Sequence, residues 1–231
     1  MKRVVVISGA GISAESGLKT FRGADGLWRG YRPEEVACPE AWRRNPGLVL
    51  DFYNERRKAV REAQPNAAHL SLVELERAYD VRIVTQNVDD LHERAGSSSV
   101  LHLHGEIRKA RSTQDPALVT DLGDGDIELG DTCTLGSQLR PHIVWFGEMV
   151  PAMEEAAEMV READVVIVVG TSLVVYPAAS LVFEARKDAR RIVVNPEIPE
   201  AVAGAGFEGV AKPATAGVPE VVAGLLGETT A

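Results

Sequence analysis

The feature that most constrains the fold is a series of short, almost uniformly apolar segments rich in β-branched residues. These segments are residues 4–8, 81–85, 143–146, 165–169 and 191–194. Strands that are buried on both faces have this composition, whereas half-exposed strands alternate apolar and polar residues. Helical patterns lie between the segments, at residues 46–63, 66–79, 153–163 and 177–187. Strands that alternate with helices predict an α/β fold built on a doubly wound parallel sheet.

Two stretches do not fit that sheet. Residues 22–80 contain helical patterns but no convincing strand, and residues 106–138 are polar and rich in glycine and acidic residues. We expect both to be insertions that together form a smaller lobe. The large domain would then comprise residues 1–21, 81–105 and 139–231. The segment 201–217 is rich in alanine and glycine, and it predicts a loop before a short last helix.

Composition excludes several classes of protein. The 231-residue chain has a formal net charge of −9, and an acidic surface repels phosphate backbones, which argues against a nucleic-acid partner. The apolar run at the N-terminus is too short for a signal peptide, and no apolar stretch has the length of a membrane span. We therefore expect a cytoplasmic protein without a membrane partner. The two cysteines, Cys38 and Cys133, can form neither a disulfide framework nor a four-cysteine zinc site.

A glycine-rich loop follows the first predicted strand. It reads Gly9-Ala10-Gly11-Ile12-Ser13-Ala14, the G-x-G-x-x-A spacing of a dinucleotide-binding loop. The glycines would permit a tight turn and a close approach to pyrophosphate, the small Ala14 would let helix and strand pack closely, and free N–H groups would bind phosphate oxygens. A simple tight turn is the alternative. No acidic residue ends a second strand about 20 residues later, so an ordinary dehydrogenase site is not expected.

Two pairs of polar residues are candidates for binding. Asn87 and Asp89 directly follow the second predicted strand, at the edge where parallel sheets bind ligands, although both are also common turn residues. Tyr53 and Arg56 stand three apart in a predicted helix and share one face. A phenol and a guanidinium on one face could bind a carboxylate, while a solvated helix face is the alternative. We expect the neighbouring Arg57 to point elsewhere, at the surface.

Five separated motifs resemble, in order, those of the sirtuin family. They are residues 9–22 (GAGISAESGLKTFR), Thr85-Gln86-Asn87-Val88-Asp89-Asp90-Leu91-His92, His104-Gly105, Gly170-Thr171-Ser172 and Asn195-Pro196-Glu197. The resemblance covers nearly the whole chain and is closest to the bacterial sirtuins grouped with the desuccinylase and demalonylase branch. It implies a single catalytic unit over residues 1–231, with a Rossmann-like large domain and a small lobe formed by the two insertions.

The resemblance also implies a site for NAD, which the family consumes as a co-substrate. The residues expected to hold NAD are Gly9, Ala10, Gly11, Ser13, Ala14, Glu15, Phe21, Arg22, Trp28, Gln86, Asn87, Asp89, Gly170, Thr171, Ser172, Asn195, Glu197 and Ala214. His104 matches the catalytic histidine, whose imidazole can accept a proton from a ribose hydroxyl. A hydrogen-bonded histidine at a strand end is the alternative. We interpret His102, which is not followed by glycine, as structural.

The implied activity is NAD-dependent removal of acyl groups from lysine in proteins or peptides, which yields nicotinamide and O-acyl-ADP-ribose. Tyr53 and Arg56 match the residues with which the desuccinylase and demalonylase branch binds the carboxylate of an acyl group. Succinyl or malonyl is therefore expected to be preferred, with acetyl as a further substrate. Family members bind the substrate backbone as an added strand between two loops. Here those loops would include Phe146, Gly147, Val174 and Tyr176. An ADP-ribosyltransferase, an NAD glycohydrolase and a non-catalytic NAD-binding module are the alternatives.

The chain departs from the family at its metal site. Most sirtuins carry two cysteine pairs that hold a structural zinc ion, but residues 106–115 contain no cysteine and the second pair retains at most Cys133. One thiolate cannot build a tetrahedral zinc site. We therefore expect no metal, and a small lobe held by packing alone. The cofactor loop also reads Leu18-Lys19-Thr20 where many members have an Ile-Pro-Asp run, a variant usual in the favoured branch.

Overall fold

A computed structural model describes residues 1–19 and 30–229. Its central element is a six-stranded sheet in which every neighbouring pair of strands is parallel. With all strands numbered along the chain, these are β1 (Arg3–Ser8), β2 (Asp80–Thr85), β3 (Val100–His102), β7 (Val165–Val169), β8 (Arg190–Val194) and β9 (Glu208–Val210). Their order across the sheet is β3-β2-β1-β7-β8-β9. The predicted doubly wound parallel sheet is confirmed.

Helices cover both faces of this sheet. They are α1 (Gly11–Ala14), α5 (Ala67–Leu75), α6 (Leu91–Ala95), α7 (Met153–Arg161) and α8 (Ala214–Thr229), with 3₁₀ helices at Ala178–Phe183 and Glu200–Val202. Successive strand residues point to opposite faces, so Val4 and Val6 pack with α5 and α8, while Val5 and Ile7 pack with α7 and the first 3₁₀ helix. This burial on both sides is why the strands are uniformly apolar.

Helix α5 belongs to the large sheet and not to the small lobe. Ala68, Leu72 and Leu75 share one buried core with β1 and α8. The expected boundary, which put residues 22–80 in the small lobe, therefore lies too late in the chain. Helical periodicity reveals that a helix has an apolar face, but it does not reveal which sheet covers that face.

In the part of the chain that the structure describes, the small lobe combines three helices with a three-stranded antiparallel sheet. These are α2 (Pro33–Val36), α3 (Pro39–Arg44) and α4 (Pro46–Glu62), and strands β4 (Gly105–Ser112), β5 (Val119–Asp121) and β6 (Leu139–Ile143) in the order β5-β4-β6. Helix α4 begins where the side chain of Asn45 accepts the backbone N–H of Leu48, which caps its N-terminus. Its apolar face packs through Phe52 against Ile107 of β4.

Three further local predictions were wrong. The strand predicted at residues 143–146 is β6, which lies earlier in the chain and joins the small antiparallel sheet, so the large domain does not begin at residue 139. The helix predicted at 177–187 is only the short 3₁₀ helix Ala178–Phe183. The alanine- and glycine-rich tail contains β9, and the last helix is 16 residues long. Strand β9 has three residues, too few for a strand pattern to be recognised.

The small lobe is not held by packing alone. Arg57, which we expected at the surface, is completely buried. Its Nε donates to the carbonyl of Ile107 (2.8 Å), and its Nη1 donates to Asn54 (2.6 Å) and to Asp126 (3.2 Å). The Asn54 amide also exchanges two hydrogen bonds with the backbone of Ile127. Helix α4 is thereby tied to β4 and to the acidic loop of the second insertion.

A cluster of hydroxyl and thiol groups lies at the end of β4. The Oγ atoms of Ser112 and Ser137 are 2.8 Å apart, and the Sγ of Cys133 lies 3.3 Å and 3.2 Å from them. Over residues 1–19 and 30–229, no group of three or more His, Cys, Asp or Glu residues is placed to hold a metal ion. In the same ranges, no helix is both long and apolar enough to cross a membrane.

Candidate active site

The carboxyl ends of the parallel strands meet at one edge of the sheet. The strand order reverses between β1 and β7, because the chain continues from β1 toward β3 on one side and from β7 toward β9 on the other. Ligands of doubly wound sheets bind in the crevice at such a switch point. The predicted cofactor segments directly follow β1, β2, β7 and β8, so they all lie at this edge.

The glycine loop after β1 crosses the loop after β7 at close range. The N–H of Gly9 donates to the carbonyl of Val169 (3.0 Å), and that of Gly11 donates to the carbonyl of Gly170 (2.7 Å). A Cβ on Gly11 would lie 2.6 Å from the Cα of Gly170. A Cβ on Gly170, whose φ is +63°, would lie 2.3 Å from the nitrogen of Ile12. Both positions therefore require glycine.

The structure contradicts two of the roles predicted for residues of this loop. The N–H groups of Gly9 and Gly11 are already bonded to carbonyl oxygens, so they are not free to bind phosphate. Ala14 is exposed, and the buried residues of α1 are Ile12 and Ser13, so the small size of Ala14 is not required by helix–strand packing. The glycines serve the close approach of two loops.

A buried polar cluster joins the glycine loop to the segment after β2. The amide of Asn87 donates to the Oγ of Ser13 (3.2 Å), and the Ser13 hydroxyl donates to the carboxyl of Asp89. The same carboxyl accepts the backbone N–H of Leu91 (3.2 Å). Burial raises the pKa of Asp89, and these two hydrogen bonds offset part of the increase. An amide and a carboxyl beside the crevice can bind a carboxamide and ribose hydroxyls.

A hydrogen bond spans the switch point itself. The side-chain amide of Gln86, after β2, donates to the Oγ1 of Thr171, after β7 (3.3 Å). Thr171 Oγ1 also accepts the backbone N–H of Leu173 (3.2 Å). The crevice therefore has a polar floor made of residues from both halves of the sheet. The next residue, Ser172, is exposed at the rim.

The imidazole of His104 is held in one tautomer. Its Nδ1 lies 3.0 Å from the carbonyl oxygen of Gln86. A carbonyl oxygen can only accept, so Nδ1 carries the hydrogen and Nε2 is the basic nitrogen. Burial lowers the pKa of His104 below its usual value, and the bond to Gln86 offsets part of that shift. A neutral imidazole with an unprotonated Nε2 is the state that a general base needs.

His102 differs from His104 because both of its ring nitrogens lie beside hydrogen-bond acceptors. Its Nδ1 lies 2.9 Å from the carbonyl oxygen of Asn87, and its Nε2 lies 2.7 Å from a carboxylate oxygen of Glu93. Both partners are acceptors, so both ring nitrogens donate. Burial disfavours the charged imidazole, but the Glu93 carboxylate outweighs that effect and raises the pKa of His102. This geometry agrees with the structural role expected for His102.

The glycine after His104 is required by a chain crossing. Gly105 has a φ of +81°, and a Cβ there would lie 2.0 Å from the carbonyl oxygen of His142. The carbonyl of His104 accepts the backbone N–H of Val144 (2.9 Å). His104 therefore lies between strand β3 of the large sheet, which ends at His102, and strand β4 of the small-lobe sheet, which begins at Gly105.

The remaining residues expected to hold NAD are only partly brought together. A carboxylate oxygen of Glu15 accepts the backbone N–H of Thr215 (3.2 Å), so Glu15 lies beside the start of α8. Ala214 is 4% exposed and its side chain packs into the core of the sheet. The amide of Asn195 donates to the carbonyl of Glu197 (2.5 Å). Phe21, Arg22 and Trp28 lie outside the described residues.

Tyr53 and Arg56 lie on the inner side of the small lobe. Tyr53 is only 1% exposed, which excludes a solvated helix face, and its oxygen accepts a hydrogen bond from Nε1 of Trp145 (3.1 Å). Burial raises the pKa of Tyr53 to about 12, and nearby Arg56 offsets part of the increase. Arg56 is half-buried, with its Cζ 5.8 Å from the ring centre of Phe52. A neutral phenol and a guanidinium therefore face the same interior region.

The two predicted substrate loops carry exposed apolar side chains. Phe146, Val174 and Tyr176 are 45%, 44% and 69% exposed, and Gly147 is exposed with a φ of +86°. Large apolar side chains that remain exposed are typical of a surface that binds another chain.

Sequence reasoning missed three residues around Tyr53. They are Arg140, Trp145 and Glu148. The Cζ of Arg140 lies 3.3 Å from the ring centre of Trp145, and the Glu148 carboxylate bonds both Arg140 (2.7 Å) and the backbone N–H of Trp145 (2.8 Å). The sequence contained a signal for these residues. Arg140 and Glu148 flank the largely apolar residues 141–147, and charged side chains are rarely buried unless they are paired.

Comparisons with known proteins agree with this geometry. A model of the Sir2 family matches residues 9–177. An NAD-dependent protein deacylase of Helicobacter pylori (strain ATCC 700392 / 26695) is 58% identical over 197 residues, which cover 85% of this chain and 86% of that protein.

Solved structures are also similar along almost the whole chain. A Sir2 homolog–NAD complex is 42% identical with a TM-score of 0.88, over 98% of this chain and 90% of that one. A Sir2 structure with a deacetylated p53 peptide and 3′-O-acetyl ADP ribose is 31% identical with a TM-score of 0.80, over 98% of this chain and 93% of that one. The family match over most of the chain and the identity to these relatives show that this chain belongs to the Sir2 family.

Proposed function

We propose that this chain is an NAD-dependent protein-lysine deacylase that prefers acyl groups ending in a carboxylate, such as succinyl or malonyl. The observation that carries the deacylase activity is the state of His104. Its Nδ1–H is held by the Gln86 carbonyl, its pKa is lowered by burial, and its Nε2 is left as the basic nitrogen of the ring.

The donors and acceptors at the switch point fit a dinucleotide. When bound, NAD supplies the ribose carbon that receives the acyl oxygen as nicotinamide leaves. The amide of Asn87 and the carboxyl of Asp89 can bind the nicotinamide riboside, and the Gln86–Thr171 pair lines the same crevice. Asn87 and Asp89 are 7% and 6% exposed, so this region excludes water from a reactive cationic centre.

His104 moves the proton in this scheme. Its Nε2 would accept a proton from a ribose hydroxyl of bound NAD, which would allow that oxygen to bond to the acyl carbon. The resulting imidazolium keeps its Nδ1–H bonded to the Gln86 carbonyl, so the ring need not rotate when it becomes charged. A water molecule would then add to the acyl carbon as the lysine amine leaves, so that the products are nicotinamide, free lysine and O-acyl-ADP-ribose.

The acyl preference rests on Tyr53 and Arg56. A neutral phenol donates one hydrogen bond, and a guanidinium offers a two-pronged donor that suits a carboxylate. Each hydrogen bond to the charged acyl end contributes about 1.5–3 kcal/mol, and an acetyl group cannot form it. Tyr53 is buried, so the acyl carboxylate would meet it only at the bottom of a pocket.

Two further parts of the proposal concern the whole protein. We propose that the small lobe is stable without zinc, held by the contacts of Arg57 and by the Ser112–Cys133–Ser137 cluster. Metal analysis of the purified protein, with thermal unfolding before and after a chelator, tests this. We also propose that it acts in the cytoplasm on acylated-lysine proteins, without nucleic acid or a membrane as partner, as the net charge of −9 favours.

One assay tests the activity and the preference together. The purified protein is incubated with NAD and matched acetyl-, succinyl- and malonyl-lysine peptides, and the nucleotide products are identified by mass spectrometry. O-acyl-ADP-ribose, with larger kcat/KM for succinyl or malonyl than for acetyl, is expected. Free ADP-ribose alone would indicate a glycohydrolase, and ADP-ribose attached to protein would indicate a transferase.

Variants of α4 isolate the acyl preference. Arg56→Met is expected to lower kcat/KM for the succinyl peptide roughly tenfold to a hundredfold relative to the acetyl peptide, which corresponds to about 1.5–3 kcal/mol. Lys58→Met is the matched control, because Lys58 is an exposed cation on the same helix. Equal effects of the two substitutions on the succinyl-to-acetyl ratio would contradict the proposed preference.

A further inference from the structure

The buried phenol of Tyr53 can donate its hydroxyl hydrogen to a ligand. The indole N–H of Trp145 donates to the phenol oxygen at 3.1 Å. An indole N–H can only donate, so it occupies an acceptor position of the oxygen and cannot take the phenol hydrogen. Arg56 and Arg140 also lie close enough to act on the phenol by their charge, and a guanidinium accepts no hydrogen bond. Within residues 1–19 and 30–229, the phenol hydrogen has no acceptor.

Trp145 is itself held by a cluster of charged and aromatic side chains. Its backbone N–H donates to the Glu148 carboxylate (2.8 Å), which also pairs with Arg140 (2.7 Å) and Arg111 (3.1 Å). The guanidinium of Arg140 lies on the indole ring, with its Cζ 3.3 Å from the ring centre. The Trp42 ring centre is 5.8 Å from that of Trp145. The contacts of Glu148 and Arg140 leave the indole little freedom to rotate away from Tyr53, whereas the ring packing of Trp42 is a contact that phenylalanine at position 42 would keep.

The neighbouring carboxylate does not compete for the phenol hydrogen. Both oxygens of Glu148 accept hydrogen bonds from Arg140, and one of them also accepts from Arg111 and from the backbone of Trp145. Burial of an acceptor-free O–H costs free energy, so this arrangement is best explained by a ligand acceptor that completes it.

We propose that Trp145 is a positioning residue that sets the acyl specificity, because its indole N–H turns the Tyr53 hydroxyl into a donor aimed at the carboxylate of the acyl group. This inference rests on the proposed preference for acyl groups ending in a carboxylate. Trp145 acts through Tyr53 and does not itself touch the acyl group. The ligand class is therefore a lysine acyl chain with a terminal anion, and acyl groups without that anion gain nothing from the arrangement.

The test removes the indole N–H and keeps an aromatic ring. Trp145→Phe is expected to lower the succinyl-to-acetyl ratio of kcat/KM about tenfold, chiefly through a higher KM for the succinyl peptide. Trp42→Phe is the matched control in the same aromatic cluster, and its ratio should stay within about twofold of the wild-type ratio because Trp42 makes no hydrogen bond to Tyr53. Thermal unfolding of each variant monitors the fold.

A double-mutant cycle distinguishes a role through Tyr53 from general packing. Once Tyr53→Phe has removed the hydroxyl, Trp145→Phe should cause no further loss in the ratio. Additive losses, or equal losses for succinyl and acetyl peptides with Trp145→Phe alone, would overturn the role of Trp145. If Tyr53→Phe itself leaves the ratio unchanged, the proposed acyl preference fails and this inference fails with it. If only Trp145→Phe leaves it unchanged, the inference alone is refuted.

A second variant keeps the test informative if Trp145→Phe does not fold. Site-specific replacement of Trp145 by benzothienylalanine preserves the shape of the indole and replaces its N–H by sulfur, which cannot donate. The same loss of the succinyl-to-acetyl ratio is expected. A wild-type ratio in this variant would refute the hydrogen-bond argument.

Discussion

Replacing Arg57 by methionine tests how the small lobe is held without a metal ion. Methionine fills a similar apolar volume but makes none of the hydrogen bonds of the guanidinium. The carbonyl of Ile107, a residue with no exposed surface, loses its side-chain partner, which costs about 1–3 kcal/mol. The ion pair with Asp126 adds little, because the side chain of Asp126 is 37% exposed and remains hydrated.

Loss of the buried charge offsets part of this cost. Burial lowers the pKa of Arg57, which means that the charged guanidinium is penalised by desolvation, and methionine removes that penalty. The net expected loss in the free energy of unfolding is about 2 kcal/mol. In urea this corresponds to a shift of the midpoint by about 1 M at a typical m-value.

Arg61→Met is the matched control for this measurement. Arg61 lies one turn further along α4 and bonds the same Asp126 oxygen (3.1 Å), but its side chain is 21% exposed and it has no buried carbonyl partner. We expect it to cost less than about 1 kcal/mol. Urea unfolding followed by circular dichroism compares both variants with the wild type. Equal midpoint shifts at the two positions would refute the assignment of the stability to the buried hydrogen bonds.

Three further predictions follow from the site and its supports. Because burial lowers the pKa of His104, the acid limb of the pH profile of kcat/KM should have its midpoint below pH 6.5, and a midpoint above 6.5 would contradict a neutral base. Burial lowers the pKa of His69 to about 4, so the unfolded chain binds more protons than the native one between pH 6.5 and 4. His69 should therefore contribute a fall of about 3 kcal/mol in the free energy of unfolding as pH drops through that window, and His69→Gln should reduce the slope measured by urea titration. Gly105→Ala should abolish folding or activity because its Cβ would overlap the carbonyl of His142, whereas Gly136→Ala, with a φ of +75° but nothing within 4 Å, should lower the melting temperature only modestly.

Much of the fold was predictable because it follows from local composition. Uniformly apolar strands such as residues 165–169 can exist only where helices cover both faces of a sheet, and parallel strands bring all their carboxyl ends to one edge. Polar residues that closely follow such strands, such as Asn87 and Thr171, therefore had to lie near one crevice. The motif order added which of these residues have roles in the family.

The sequence by itself determined the four central strands of the sheet, β1, β2, β7 and β8, and the edge that carries the site, whereas the short outer strands β3 and β9 appeared only in the tertiary structure. The family motif singled out His104 in place of His102, but only the tertiary structure showed how the two rings differ. The His102 ring contacts a carboxylate and a carbonyl, whereas the His104 ring contacts a carbonyl alone. The tertiary structure also decided that Arg57 is buried and that Tyr53 meets Trp145, since helical spacing gives the face of a side chain but not the residues that cover it. Contacts between residues far apart in the chain leave no mark on local periodicity.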